Sequence, residues 1–400
     1  MKCKQIVLIL IFCLFFLTGC SSLSDIEAKA YVIALGVDNG ESNNIKLSLQ
    51  IAVLSSSVGS SGESQKKDSS IISVECTDIN SGISLINSYI SKQIDLSHCK
   101  AIIMSEELSS NGVSNHICTL INNVQIRPDC NIIISKCSAY DFLNNSKPVF
   151  ESIQANYYES ILNSTKYTGY IADLYLSDFY SNILSKSSQA TAILGGISSK
   201  ENGKELSSTS DYMAEKTSID GKNNVENMGT AIFKDDKLVG ELNNIETLCH
   251  LIITNKLENT TITIPNPFDS NSEISIYIHL SKDTEKHVEL INGYPYIKCH
   301  SYITGNVLSL GDSLDLTNSS NLEILNSALN NYLEKNINDY LYKTSKKFKS
   351  DIAGFGKYLL PQYLTWQDWL DSDWLNNYEN AFFEISVETQ IQSGYLFNKL

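Results

Sequence analysis

Hydrophobic and polar positions change period several times along the chain, and each change predicts a different element. Ile6–Leu17 is an unbroken apolar run, ending at Thr18, Gly19 and Cys20. Residues 30–54 read as a β-hairpin: "AYVIALGVD" is a short apolar strand and "NGESN" is turn chemistry. "IKLSLQIAV" then alternates, with Ile45, Leu47, Leu49, Ile51 and Val53 on one face. A serine-rich connection follows at 55–70. From 71 to 160 the rhythm alternates between short apolar runs ("IISVECT", "KAIIMS", "CNIIISKCSA") and segments at helical spacing ("DINSGISLINSYISKQI", "NGVSNHICTLINNVQI", "AYDFLNN"). Strand and helix in alternation predict crossover units and a largely parallel sheet. Residues 151–185 continue as a tyrosine-rich helical stretch.

Strand character returns at "TAILGGISS" near 191, and 199–227 is polar without period, predicting an exposed loop. "MGTAIFKDDKLVGELNNIETLCHLIITNK" reads as strand, turn, strand, asparagine cap and helix, with Ile245, Leu248, Leu251 and Ile252 on the helix's apolar face. The last 140 or so residues predict an α+β unit. "EISIYIHL", "KHVELIN" and "YIKCHSYITGNVLSL" are its first strands. A long amphipathic helix runs from about Asn321 past Phe348, with Leu322, Leu325, Leu329, Leu333, Ile337 and Leu341 on its stripe. "FFEISVETQIQ" closes the pattern as a strand, so an antiparallel sheet packed on the helix is expected. In "AGFG", Ala353–Gly356, two glycines flank Phe355, predicting a helix end or kink with the ring inserted in the core.

The leader changes the picture from soluble to exported. Lys2 and Lys4 precede the apolar run and small residues follow it, the layout of a secretory signal over 1–19. As a helix, the run spans roughly 18 Å, short of the ~30 Å of a bilayer core. Leu17-Thr18-Gly19-Cys20 resembles the lipobox of bacterial lipoproteins, which implies a diacylglyceryl thioether on Cys20 and cleavage before it. The chain carries a net charge of −15, falling to −17 once Lys2 and Lys4 leave. Such a body is repelled by anionic headgroups, so acyl chains supply the membrane attachment that a basic surface cannot. The same charge, with Arg127 the sole arginine, argues against nucleic acid as a partner.

Candidate chemistry is sparse. Beyond Cys20 the cysteines are Cys76, Cys99, Cys118, Cys130, Cys137, Cys249 and Cys299, an odd set with no C-x-x-C spacing. A mature chain this long builds its own cores, so these read as small buried hydrophobes without a disulfide framework. The neighbours His98-Cys99, Cys249-His250 and Cys299-His300 are far apart, and adjacent strand residues face opposite ways, so no metal site is expected. His116, His279 and His287 likewise read as packing or surface residues. No catalytic motif is present: G-x-S-x-G, P-loop, H-E-x-x-H and G-x-G-x-x-G are all missing, and no cofactor is implied. Glu106-Glu107 and Asp235-Asp236 fall at a predicted helix start and a turn, where acids serve local structure. Lys343, Lys346, Lys347 and Lys349 form the one basic cluster, a solvated helix face or a contact surface, and Trp366, Trp369 and Trp374 suit core packing or an interface.

Taken in order, the lipobox, "ALGVD" at 34–38, "SHCKAIIMSEEL", "VQIRPDCNIIISKCSA", "MGTAIFKDDKLVGELNNIETLCHLII" and "SDIAGFGKYL" with its Trp-rich sequel resemble the Ger(x)C family, the C-subunit lipoproteins of spore germinant receptors. "SSLSDIEAK" lacks the aromatic residue and Arg that members often carry after the lipidated Cys. The resemblance implies three α/β domains, placed at 21–70 with 187–257, at 71–186 and at 258–400, the 228–242 hairpin completing the sheet begun by 30–54. It further implies a non-catalytic subunit on the outer face of the spore's inner membrane. Its partners would be a membrane-embedded A subunit and a transporter-like B subunit, and the complex would respond to small nutrients. Two other classes fit a lipoprotein: the solute-binding component of an ABC-type importer, which needs two similar lobes, and an envelope hydrolase, which needs a catalytic set.

Overall fold

The computed structural model describes residue 5 and residues 28–53, 69–198 and 212–392, except 43, 149, 152–153, 173, 218, 220, 222, 310–315 and 317. The leader apart from residue 5, Cys20, most of the serine-rich connection and residues 199–211 of the expected exposed loop lie outside the described residues.

Two sheets organise the molecule. The first has nine strands in the order β3-β2-β1-β5-β6-β7-β8-β9, with β4 also paired to β1. The strands are β1 (Lys29–Asn39), β2 (Ile45–Ala52), β3 (Ser69–Cys76), β4 (Gln93–Asp95), β5 (Ala101–Ser105), β6 (Asn131–Ser135), β7 (Thr191–Ile197), β8 (Val225–Lys234) and β9 (Lys237–Leu242). Strands β1, β4, β5, β6 and β7 run parallel, joined by the crossover helices that the alternating pattern predicts. The hairpin at 228–242 lies in the sheet begun at 30–54, but β5, β6 and β7 stand between them. Strands from 21–70, 71–186 and 187–257 are thus hydrogen-bonded into one sheet.

Helices cover both faces, which explains why β5 and β6 are buried throughout and carry apolar residues on both faces at their centres. Leu35, Ile102 and Ile132 face one core, with α1 (Ile79–Tyr89), α3 (Ser114–Ile121) and α6 (Leu176–Leu184). The short α2 (Glu106–Asn111) precedes α3. Ala34, Ile103 and Ile133 face the other core, with α4 (Ala139–Asn145) and α5 (Gln154–Ser160). In β2 the polar side of the alternation is buried as well. Ser48 pairs with Ser73, and the Gln50 carbonyl accepts from the Tyr158 hydroxyl at 2.8 Å.

The second sheet is β10-β11-β12-β13 (Thr260–Pro265, Glu273–Ile291, Tyr294–Ser309, Phe382–Gln392). Helix α7 (Asn244–Thr254) links the two sheets. "EISIYIHL" and "KHVELIN" are one strand: β11 continues through the polar stretch between them by register shifts, with Thr284 buried against Ser301 at 2.9 Å. β10, β11 and β12 are antiparallel, whereas β13 runs parallel to β12, because α8 (Ser319–Tyr342) serves as the crossover between them. Leu325, Leu329, Leu333, Ile337 and Leu341 of α8 are buried on the sheet, each worth about 1.5–3 kcal/mol of apolar transfer. The helix then passes through a π turn, Lys343–Phe348, and stops at Lys349 in the left-handed region. One apolar core runs without a break from Ile133 and Ile193 through Leu248 and Ile276 to Leu329, joining the two sheets.

Candidate functional site

Two of the landmark segments, "MGTAIFKDDKLVGELNNIETLCHLII" and "SDIAGFGKYL", meet where the two sheets join. Residues 350–356 leave the end of α8 and insert between the halves. The Ser350 hydroxyl donates to the Phe233 carbonyl of β8 at 2.6 Å, and the Gln189 N–H donates to the Asp351 carbonyl at 2.9 Å. The Asp351 carboxylate is fully buried. Its Oδ1 accepts from the Phe355 N–H at 3.1 Å, and its Oδ2 from the Gly356 N–H at 3.0 Å and the Trp374 indole N–H at 2.8 Å. Burial pushes this carboxyl above the ordinary carboxylate value of 3.8, while the three N–H donors pull the other way. Phe355 is fully buried near Tyr378 and Phe383, as its flanking glycines predict. Gly354 has φ +70°, and a Cβ on Gly356 would lie 2.6 Å from the Ser187 carbonyl oxygen, so both glycines are required.

The basic cluster at the end of α8 is largely engaged in the same joint. Lys343 Nζ lies 2.7 Å from both carboxylate oxygens of Glu246 and also donates to the Glu241 carbonyl at 3.3 Å. Glu241 in turn binds Lys136 at 2.6 Å. Lys346 donates to the Glu379 carbonyl, and Lys349 pairs with the Glu379 carboxylate. Lys347 borders an open groove of about 450 Å³ together with Glu106, Met213, Leu238, Gly240 and Phe348. His250 of α7 is buried with Nδ1 2.8 Å from the Tyr340 hydroxyl of α8, and burial lowers its pKa to about 3.

The other residues singled out in the sequence are dispersed. All seven described cysteines are free thiols. Cys249 and Cys299 are buried, and burial pushes the Cys299 thiol up to about 12. Asp236 caps α3, accepting from the Ser114 N–H at 3.3 Å, and Asp235 occupies the left-handed position of the β8–β9 turn. Glu106 and Glu107 lie in the first turn of α2. Trp369 and Trp374 are buried near each other, while Trp366 is exposed. Among the described residues no three His, Cys, Asp or Glu side chains gather into a metal-binding group. Two roles escaped the sequence reading. Asp38 of "ALGVD" caps α4, accepting from the Ala139 and Tyr140 N–H groups at 2.6 and 3.0 Å, and Asp351 is the buried acceptor of the joint. An aspartate ending an apolar strand was the available signal for the first; nothing local marked the second.

Two family models match this arrangement in sequence order. The spore germination protein N-terminal domain covers residues 23–199, and the spore germination B3/GerAC-like C-terminal domain covers 228–394. The chain belongs to the Ger(x)C family. Full-length relatives in Bacillus subtilis (strain 168) agree. A putative spore germination protein YfkR is 22% identical, over 98% of this chain and 97% of that protein. Spore germination protein KC is 23% identical, over 99% and 97% respectively. The crystal structure of the GerBC protein shares the fold, with a TM-score of 0.53 and 15% identity, covering 89% of this chain and 96% of that one. The joint built on "SDIAGFG" therefore falls inside the C-terminal model, and what it grips, the segment leading into β7 and the end of β8, lies on either side of the boundary between the two models.

Proposed function

We propose that this chain is the lipid-anchored, non-catalytic C subunit of a nutrient germinant receptor. The observation that carries the reading is the end-to-end match to GerAC-type germination proteins. The buried polar groups at the joint favour a structural role, because Asp351 is occupied by donors of its own chain and offers nothing to a substrate. Among the described residues no helix is long and apolar enough to cross a membrane. The lipobox resemblance of Leu17-Thr18-Gly19-Cys20 supports attachment through a diacylglyceryl group on Cys20, on the outer face of the spore inner membrane, beside membrane-embedded A and B subunits.

Gene disruption tests this. The expected result is loss or slowing of germination with one class of nutrient, intact sporulation, and normal germination with triggers that bypass receptors. Partner subunits that bind this one lose its stabilisation and fall in abundance. A null strain without a redundant receptor that germinates normally and instead loses uptake of one solute would transfer the chain to the importer reading. Cys20→Ala is expected to abolish incorporation of labelled fatty acid; labelling equal to wild type overturns that assignment.

A further inference from the structure

We propose that the end of the molecule where the parallel strands begin is a bilayer-contact face, whose apolar rim dips into a lipid surface. The tether in this argument rests on the lipid-anchor reading above; the face itself rests on topology. Because β1, β4, β5, β6 and β7 are parallel, all five begin at one end of the sheet. β2 ends there, and the β8–β9 turn lies there too, both strands being antiparallel to their parallel neighbours. The described chain also enters at this end, at Ala28 ahead of β1. Eight Cα–Cα steps separate Ala28 from Cys20, with seven residues between. Even fully extended they reach no more than about 29 Å. Acyl chains on Cys20 therefore hold this end, and not the β1–β2 turn at the other, close to the membrane.

The same end carries exposed apolar side chains, one in each of three segments that lead into the parallel strands. Tyr89, ahead of β4, is 81% exposed; Val124, ahead of β6, is fully exposed; Leu184, ahead of β7, is 56% exposed. The C-terminal half adds to them. The contacts of Asp351 with Gln189 and of Gly356 with Ser187 dock residues 350–376 here, and Leu370 and Trp374 share a pocket with Lys186 and Lys234. This places helix α9 (Trp366–Asp371) at the rim, where Leu364 is 99% and Trp366 59% exposed. A single exposed apolar residue is ordinary. Recurrence in successive loops at the tethered end, with Tyr and Trp among them, is the composition of a membrane–water interface. Charge does not supply the attraction: Lys92, Lys186 and Lys234 are balanced by Asp235, Asp368, Asp371 and Asp373 around the same loops. Contact is therefore by apolar insertion and is indifferent to anionic lipid.

Trp366 supplies the probe, since the chain has three tryptophans and Trp369 and Trp374 are buried. The full-length lipidated protein is reconstituted in phosphatidylcholine vesicles carrying brominated acyl chains, with and without phosphatidylglycerol, and its fatty-acid labelling is scored separately. The expected result is bromolipid quenching of part of the tryptophan emission, equal in both vesicle types and lost in Trp366→Phe. Labelled, vesicle-bound protein whose emission is not quenched overturns the proposal and assigns the rim to a protein partner. Quenching that requires phosphatidylglycerol overturns it as well, by making the contact electrostatic. Unlabelled protein removes the tether, and with it both the lipid-anchor reading and the proposal.

Discussion

At the scale of single residues, the buried polar groups carry the sharpest consequences. Burial penalises the His250 imidazolium and lowers its pKa from the ordinary 6.5 to about 3. Between those values the unfolded chain binds a proton that the folded chain refuses. Stability is therefore lost as pH falls from 6.5 towards 3, by up to about 1.4 kcal/mol per pH unit from this group. Denaturant melts across that range should show a shallower acid loss in His250→Gln than in wild type; parallel curves would count against a neutral buried imidazole. Asp351 has the opposite sign. Its folded pKa is raised above 3.8, so its contribution is fully present below that value and declines as pH rises through the raised one. Asp351→Asn removes this dependence but sets an NH₂ group against N–H donors, and a loss of about 1–3 kcal/mol at neutral pH is expected. Phe355→Ala, emptying a fully buried site, should cost about 3–5 kcal/mol by the same melts.

At the scale of elements, the edge strand β13 is closed by a helix. The side chains of Asn326, Asn330 and Glu334, one turn apart on α8, accept at 2.9 Å from the N–H groups of Ile391, Thr389 and Val387 respectively. Four helical residues rise about 6 Å and two strand residues about 6.6 Å, so the two ladders keep step over three rungs. The helix thereby acts as a surrogate neighbour along the edge of β13 that faces away from β12. Replacing all three acceptors with Ala should cost about 0.5–1.5 kcal/mol per lost bond and leave donors open to another chain. Sedimentation of the triple variant should reveal association absent from wild type, and a strictly unchanged profile would mean the edge is protected otherwise. None of this is legible in the sequence, where these residues look like the solvated side of an amphipathic helix. What was legible is whatever a local period or cap decides: the β1–β2 hairpin, the Leu325–Leu341 stripe, and the asparagine cap of α7, which the structure extends to a capping box of Asn243 with Glu246. The parallel direction of β13 was not, since period two is the same in either direction and only the placing of α8 as a crossover decides it. The burial of Ser48 and Gln50 was hidden similarly, because alternation records polarity and not whether a second layer covers the polar side.

At the scale of the whole molecule, the question is whether the two sheets behave as one body. The expected first domain at 21–70 with 187–257 and second at 71–186 share a continuous ladder, so unfolding either breaks β1–β5 and β6–β7 pairing. The second sheet is attached differently, through the shared apolar core and the joint at 350–356. Gly356 is a tight point of that joint: its missing Cβ leaves room for the Ser187 carbonyl and the Trp374 ring, and a backbone oxygen cannot step aside as a flexible side-chain tip does. Overpacking of this kind costs about 1–3 kcal/mol. In Gly356→Ala the strain falls on the contact between the halves, while the hydrogen-bonded interior of each sheet is untouched. Calorimetry is therefore expected to give one cooperative transition for wild type and, for the variant, a lower Tm with the transition broadened or split as the sheets begin to melt separately. A control in the same strand-rich body, Gly293→Ala at the β11–β12 turn, meets no atom within 4 Å and perturbs only a local φ of +85°. It should lower Tm without splitting the transition. If Gly356→Ala behaves like Gly293→Ala, the joint does not couple the sheets, and the shared apolar core alone holds them together.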